Sequence, residues 1–208
     1  MKRTTTIPTG RTPTWHLSLA IALSLGLCAP LDAVATRQSD SIPIVVLETS
    51  LGEVHMGLFP DRAPKSTAHF LRLVERGFYD EILFHRVVRD FVVQAGLMNM
   101  DGELVGDDIQ PVENEADNRI RNSRGTVALA RLDDPHSARG EFFINVRDNR
   151  DLDFSSYRRD GWGYAVFGEI IEGMDVVDEI SRRDTRRAGI LREFPRDPVV
   201  IYRAYRAR

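Results

Sequence analysis

The chain has 208 residues, 42% hydrophobic and 28% charged, with a formal net charge of −3. Mild acidity without a concentrated basic face argues against a nucleic-acid footprint, and one cysteine, Cys28, excludes a disulfide framework. The length suits a single domain of ordinary size with a real core.

The first 35 residues read as separate from the fold. Lys2, Arg3 and Arg11 form a basic start, Leu17 to Leu27 (LSLAIALSLGL) is an apolar run, and Ala33 to Ala35 is a small-x-small site, the pattern of a cleaved secretory signal. The run falls well short of the ~20 apolar residues that span a bilayer. A lipid anchor on Cys28 fits less well, because Leu27 stands where a small residue is expected. The expectation is a cleavable signal over 1–35, one domain over 36–208, and a periplasmic protein with no membrane attachment once cleaved. Removing three basic residues and one acid from 28 and 31 leaves the mature chain at −5, without a cysteine to oxidise outside the inner membrane.

Ile42 to Phe59 (IPIVVLETSLGEVHMGLF) gives two β-rich runs around Ser50–Leu51–Gly52, a hairpin. Asp61 to Gly77 predicts an amphipathic helix, with Asp61 as N-cap, Pro64 in the first turn, Ala68, Leu71 and Val74 at helical spacing beside Phe70, and Gly77 as the stop. Phe84 to Gly96 (FHRVVRDFVVQAG) then reads as a buried strand pair that nevertheless carries a permanent cation, Arg86. Met98 to Arg124 is a long polar section of the kind that often serves as a functional loop.

Strand-like runs follow at Gly125 to Arg131, Glu141 to Val146 and Gly163 to Ile170, a helix at Gly173 to Arg182, and a closing strand at Pro198 to Tyr205. The arginines crowded near the C-terminus read as a solvated rim and that final strand. Many short strands and two helices, with no alternating βαβ rhythm, predict a mostly β protein: a closed antiparallel barrel capped by helices.

The common enzyme constellations are missing. There is no Gly-rich phosphate loop, His55, His69, His85 and His136 lack metal-ligand spacing, and no nucleophile elbow surrounds any serine. No metal and no cofactor are expected, and a hydrolase is disfavoured. What stands out is a set of aromatic and aliphatic residues in strand-like segments, with one arginine and one amide among them.

Three of these segments, FHRVVRDFVVQAG, EFFINVRDNRDLDF and GYAVFGEIIEGMDVVDEI, resemble the cyclophilins, the prolyl cis–trans isomerases, and ENEADNRIRNSRGTVALAR is similar to the exported bacterial branch. The resemblance runs from about Ile42 to about Ile201. It implies an eight-stranded barrel capped by two helices, with a substrate groove on one outer face. Carried over by position, it makes Arg86 the catalytic arginine and Gln94 the amide beside it. Phe91, Val92, Phe143, Leu152 and Tyr164 then line a proline pocket, and the Ala130–Arg131 backbone holds the peptide. Partners would be proline-containing unfolded or partly folded polypeptides, met by a monomer that assists the folding of exported proteins.

Two positions depart from the family pattern. Glu141 stands where glutamine usually precedes the Phe-Phe pair; as part of the substrate site it either orients Arg86 or pairs with it and quenches it. Asp151 stands where members that bind cyclosporin tightly carry tryptophan, which implies weak inhibition by that drug. Met98 to Gln110 also matches poorly. A quenched Arg86 would leave a second reading, a non-catalytic module or holdase that binds proline segments without turning them over.

Overall fold

The computed structural model describes residues 42–207; the expected signal over 1–35 lies outside them. Ten strands form in chain order: β1 (Ile44–Thr49), β2 (Gly52–Leu58), β3 (Ile82–Val88), β4 (Val92–Asn99), β5 (Thr126–Leu129), β6 (Phe142–Asn145), β7 (Val166–Glu172), β8 (Thr185–Ala188), β9 (Leu191–Pro195) and β10 (Val200–Arg206). Eight of them close a barrel in the order β1-β10-β3-β4-β6-β5-β7-β2, and β8 and β9 pair separately. The expected eight-stranded antiparallel barrel with two helices, α1 (Pro64–Glu75) and α2 (Met174–Ser181), is therefore present. The β8–β9 hairpin is a correction, since that stretch reads as solvated rim. Its arginines hide the alternation, and only Phe194 and Pro195 are buried to mark an inner face.

Strand alternation sorts side chains between the barrel interior and its outer surface. Val93, Phe142, Ile144, Val127 and Phe167 point inward and pack with Phe70, Leu73 and Val74 of α1 and Val177 and Ile180 of α2. Phe70 lies at the centre, with ring centroids 4.9 Å from Tyr79, 5.5 Å from Phe142 and 5.0 Å from Phe167. Val92, Ala128, Phe143 and Val166 point the other way and form a second apolar cluster outside the barrel.

Helix α1 differs from its sequence reading in two respects. Its buried face is Ser66, Thr67, His69, Phe70, Leu73 and Val74, while Ala68 is exposed and Leu71 half-buried. His69 is tolerated there because its Nε2–H donates to the Arg139 carbonyl at 2.6 Å, and burial lowers its pKa so that the ring stays neutral. Asp61 is not the N-cap. Ala63 holds that position without a side-chain bond, and the Glu115 carboxylate accepts instead from the Lys65 and Ser66 N–H groups at 3.0 and 2.7 Å. The helix stops as expected at Gly77 (φ +69), whose N–H donates to Val74 while Phe78 donates to Leu73.

A carboxylate at the first turn both satisfies orphan N–H groups and opposes the helix dipole. Glu115→Ala should therefore cost about 1 kcal/mol of stability, and Glu115→Gln distinctly less, since an amide oxygen still accepts. Urea unfolding of both variants checks this; equal losses would rule out the capping role.

Candidate active site

The site begins with an irregularity in β3. Phe84 pairs with Ala95 and Arg86 with Gln94, so two residues of β3 are spanned by one of β4, and His85 is the extra residue of a β-bulge. The bulge turns the strand over: Phe84 is fully buried inside the barrel, whereas Arg86, two residues on, emerges on the outer face with its side chain 35% exposed. A core strand can thus carry a permanent cation without burying it, which would be costly.

From Arg86 the pairing register lays a row across the outside of the barrel. Arg86 faces Gln94, Gln94 faces Phe143, Phe143 faces Ala128, and Ala128 faces Val166. Directly paired residues share a sheet face, so four strand pairings bring a cation, an amide and an apolar floor together. Val92, two residues from Gln94, lies on the same face.

These residues open onto a cavity of 230 Å³ lined by Arg86, Phe91, Val92, Gln94, Ala130, Arg131, Phe143, Leu152 and Tyr164. Nine of the ten residues singled out from the sequence are thereby brought together. Tyr164 meets Phe143 edge-on at 5.5 Å, and the Arg131 guanidinium lies 4.8 Å from the Tyr164 ring while its Nε–H donates to the Gly163 carbonyl at 2.9 Å. Arg131 thus braces the aromatic wall. The Ala130 N–H donates to the Glu141 carbonyl at 2.9 Å, so this donor is already committed at the cavity edge.

Glu141 is the tenth residue, and it does not line this cavity. It faces an adjoining one of 270 Å³ that shares Arg86 and Gln94 with the first and is closed on its far side by Ile190, Leu191, Arg192 and Glu193 of the β8–β9 hairpin. There the Glu141 carboxylate accepts from Gln94 Nε2 at 2.8 Å and lies 3.3 Å from His85 Nε2. The carboxylate beside the arginine is Glu193, 3.6 Å from Arg86 Nε. The direct pair with Arg86 expected as one alternative for Glu141 is therefore corrected, as is its place among the substrate-binding residues: its carboxylate meets Gln94 and His85, and it does not line the 230 Å³ cavity. Asp151 is exposed on a short 3-10 turn, Arg150–Leu152, outside the cavity lining.

The guanidinium is held from two sides. Its NH1 donates to Gln94 Oε1 at 3.4 Å, Glu193 stands at Nε, and the Phe91 ring lies 5.9 Å from its central carbon. Among the described residues no partner occupies its other terminal nitrogen.

Beneath the pocket lie three buried amides without an assigned role in the sequence. Asn149 Nδ2 donates to the Phe91 carbonyl at 3.0 Å and to Asn145 Oδ1 at 2.8 Å. Asn145 Nδ2 donates to Thr126 Oγ1 at 2.9 Å and Asn122 Oδ1 at 3.2 Å, and Asn122 Nδ2 donates to the carbonyls of Leu152 at 3.0 Å and Tyr164 at 3.3 Å. The network ties together the backbones of three pocket walls that come from separate loops. An asparagine at the end of the apolar run FFIN was the available signal, since a buried amide needs partners.

Among the described residues no group of three or more His, Cys, Asp or Glu is placed to hold a metal ion, and no helix is long and apolar enough to cross a membrane. What the arrangement offers is one fixed cationic donor at the rim of an apolar pocket.

Comparisons with known proteins bear on the family and the fold. A family model described as cyclophilin type peptidyl-prolyl cis-trans isomerase/CLD matches residues 44–206. The chain is 42% identical over 158 residues to peptidyl-prolyl cis-trans isomerase B of Escherichia coli (strain K12), covering 76% of this chain and 96% of that protein. It is 40% identical over 187 residues to peptidyl-prolyl cis-trans isomerase A of Dickeya dadantii (strain 3937), covering 90% and 94%. A crystal structure of a Cryptosporidium parvum cyclophilin-type isomerase, determined in the presence of the dipeptide Ala-Pro, shares the fold with a TM-score of 0.65 at 20% identity, covering 79% of this chain and 99% of that one.

Proposed function

The chain belongs to the cyclophilin-type peptidyl-prolyl cis-trans isomerases, and from that premise we propose that Arg86 is the donor to the twisting prolyl nitrogen, Gln94 holds it, and the proline ring occupies the 230 Å³ cavity. The protein is an isomerase of Xaa-Pro peptide bonds acting on proline-containing polypeptides. The observation that carries the residue roles is the cross-strand row, which places Arg86 and Gln94 beside the apolar floor of Phe143.

Rotation about an amide must break its resonance, against a barrier of about 18–20 kcal/mol, and the uncatalysed Xaa-Pro bond takes tens to hundreds of seconds. Reaching milliseconds is a factor of about 10⁵, or roughly 7 kcal/mol. No covalent bond changes, so no nucleophile, metal or redox group enters. In the twisted state the nitrogen leaves conjugation and regains a lone pair, and a donor there stabilises the transition state more than the ground state.

Arginine keeps its charge throughout the working pH range and presents its donors in a rigid fork. A unit charge at ~4 Å and effective dielectric ~20 is worth about 4 kcal/mol, and less against a partial charge. The remainder falls to the walls: Phe91, Val92, Phe143, Leu152 and Tyr164 line the cavity that takes the ring and position it by apolar contact. The holdase reading depended on Arg86 being quenched by Glu141; that contact is not made, and the carboxylate that does stand beside the arginine, Glu193 at Nε, leaves its other terminal nitrogen without a partner among the described residues.

The finer reading is that the protein works in the periplasm, as a monomer free of the membrane, on exported chains. Its support is the basic start, apolar run and Ala33 to Ala35 site of the first 35 residues. The test is to express the full chain in a Gram-negative host, release the periplasm and follow cis-to-trans relaxation of a short Ala-Pro peptide. Expected are strong acceleration, an N-terminus at Thr36 and a monomer mass by light scattering. A folded protein that leaves the relaxation unchanged overturns the catalytic assignment; an intact Met1 in the cytoplasm overturns export.

A further inference from the structure

The adjoining cavity contains a chain of polar groups with a property that follows from their chemistry alone. Gln94 sits between Arg86 and Glu141, with its amide in contact with both, at 3.4 and 2.8 Å. A guanidinium can only donate hydrogen bonds, and an ionised carboxylate can only accept them. The amide between them has one end of each kind, so a single orientation satisfies both neighbours: Nε2 toward Glu141 and Oε1 toward Arg86. The flipped amide would set oxygen against carboxylate and NH₂ against guanidinium.

We infer that Glu141 is a positioning residue for the isomerase reaction: its carboxylate fixes the polarity of the Gln94 amide, which in turn presents an acceptor to Arg86 and holds the guanidinium at the pocket rim. The inference rests on the assignment of Arg86 as the catalytic donor and assigns Glu141 a role different from peptide contact.

Several features hold the carboxylate itself in place. Gly140, which precedes it, accepts a hydrogen bond from the fully buried Tyr79 hydroxyl at 3.0 Å. Strand β4 approaches so closely at Gly96 (φ +103) that a Cβ there would come 2.3 Å from the Gly140 carbonyl oxygen. The Glu141 carbonyl is bound by the Ala130 N–H. One buried hydroxyl and backbone at Gly96 and Ala130 thus fix the main chain from which the Glu141 side chain reaches Gln94.

Charged and polar groups face the Glu141 cavity from three strands. His85 and Arg86 face it from β3, Arg192 and Glu193 from β9, and Gln94 from β4. Burial by itself would raise the Glu141 carboxyl; the contacts with His85 and Gln94 outweigh it and hold the group below the ordinary glutamate range. His85 is only 2% exposed, and its Nδ1 has no partner among the described residues. The extra residue of the bulge thus supports the anion, while its neighbour Arg86 carries the catalytic donor.

Two consequences separate this role from simple packing. Near neutrality Glu141 is an anion and the amide is locked; as pH falls through the lowered carboxyl value, the protonated group can donate as well as accept, and both amide orientations open. The parent should therefore lose kcat on the acid side while Glu141→Gln, which cannot titrate, shows no such limb. At pH 7 Glu141→Gln should lower kcat about two- to threefold, because either of its ends can now meet Gln94. Glu141→Leu, which removes the acceptor but keeps an apolar filler, should lower kcat about tenfold with KM little changed.

The experiment is kcat and KM for an Ala-Pro peptide from about pH 2.5 to pH 8, over the range in which circular dichroism shows each protein folded, so that the window extends below the ordinary glutamate value, in the parent and both variants, together with the side-chain amide resonances of Gln94 in ¹⁵N-labelled protein. Expected are an acid limb confined to the parent, a loss in Glu141→Leu carried by kcat, and Gln94 amide shifts that titrate with Glu141 in the parent but not in Glu141→Gln. A rise in KM alone would return Glu141 to substrate binding and overturn the inference, as would Gln94 resonances indifferent to pH and to both variants. The amide readout is independent of turnover, so an inactive parent whose Gln94 resonances titrate would sink the isomerase roles of the site while supporting the positioning.

Discussion

Arg86→Ala lowers kcat/KM for an Ala-Pro peptide about a hundredfold, roughly 2.7 kcal/mol, while the protein keeps its fold. The size follows from the electrostatics. A single donor to a partial charge at the pocket rim is worth less than the ~4 kcal/mol of a full charge pair at that dielectric, and the apolar walls that supply the rest stay in place. The fold survives because the bulge at His85 has already turned Arg86 out of the barrel, with its side chain one-third exposed and held, among the described residues, by Gln94 and Glu193 at the surface.

Arg86→Lys distinguishes charge from geometry. An ammonium keeps the charge but loses the fork that contacts Gln94 and the substrate together, so it should recover only part of the loss. Peptide relaxation with folded variants, checked by circular dichroism, measures both effects. An Arg86→Ala protein as active as the parent would place the catalytic donor elsewhere in the groove.

Phe142→Ala and Phe143→Ala should fail in opposite ways although the residues are neighbours. Phe142 is fully buried inside the barrel, with its ring 5.5 Å from Phe70 and 5.4 Å from Tyr79. Truncating it opens a cavity at the centre of the core and should cost about 3–5 kcal/mol, a large part of the ~5–15 kcal/mol that keeps a domain folded. Phe143 points to the outer face, packs on Tyr164 and lines the proline pocket.

Phe143→Ala should therefore leave the barrel core intact, with a smaller stability loss, and lower kcat/KM by roughly ten- to a hundredfold, the worth of the ~1.5–3 kcal/mol of apolar contact that a phenylalanine supplies. Denaturant midpoints and relaxation rates on the two variants decide the matter. A Phe143→Ala protein as unstable as Phe142→Ala but fully active per folded molecule would remove Phe143 from the pocket.

Whatever depended on short-range pattern was legible in the sequence. The β1–β2 hairpin around Ser50 and Leu51, the presence of α1 and its stop at Gly77, the extent of α2 and the strands at 126–129, 142–145 and 200–206 follow from periodicity and turn chemistry over a few residues. The identity of the pocket residues came instead from resemblance. Taken alone, Phe91, Val92, Phe143 and Leu152 look like core, because an apolar residue in a strand does not announce which face of the sheet it occupies.

What the tertiary structure alone decided are contacts between residues far apart in the chain. The α1 cap comes from Glu115, fifty residues beyond the Lys65 N–H it accepts, so Asp61 was the reasonable local choice and the wrong one. Glu193 reaches Arg86 from a hairpin whose arginines hid its strands, and Glu141 meets Gln94 and His85 rather than the arginine. The physical reason is common to all three. Composition and spacing determine that this chain makes strands and two helices, and the family resemblance alone implied an apolar patch beside one arginine. Barrel closure, strand register and the single extra residue at His85 determine which side chains share a face, and a one-residue shift in pairing exchanges the inner set for the outer one.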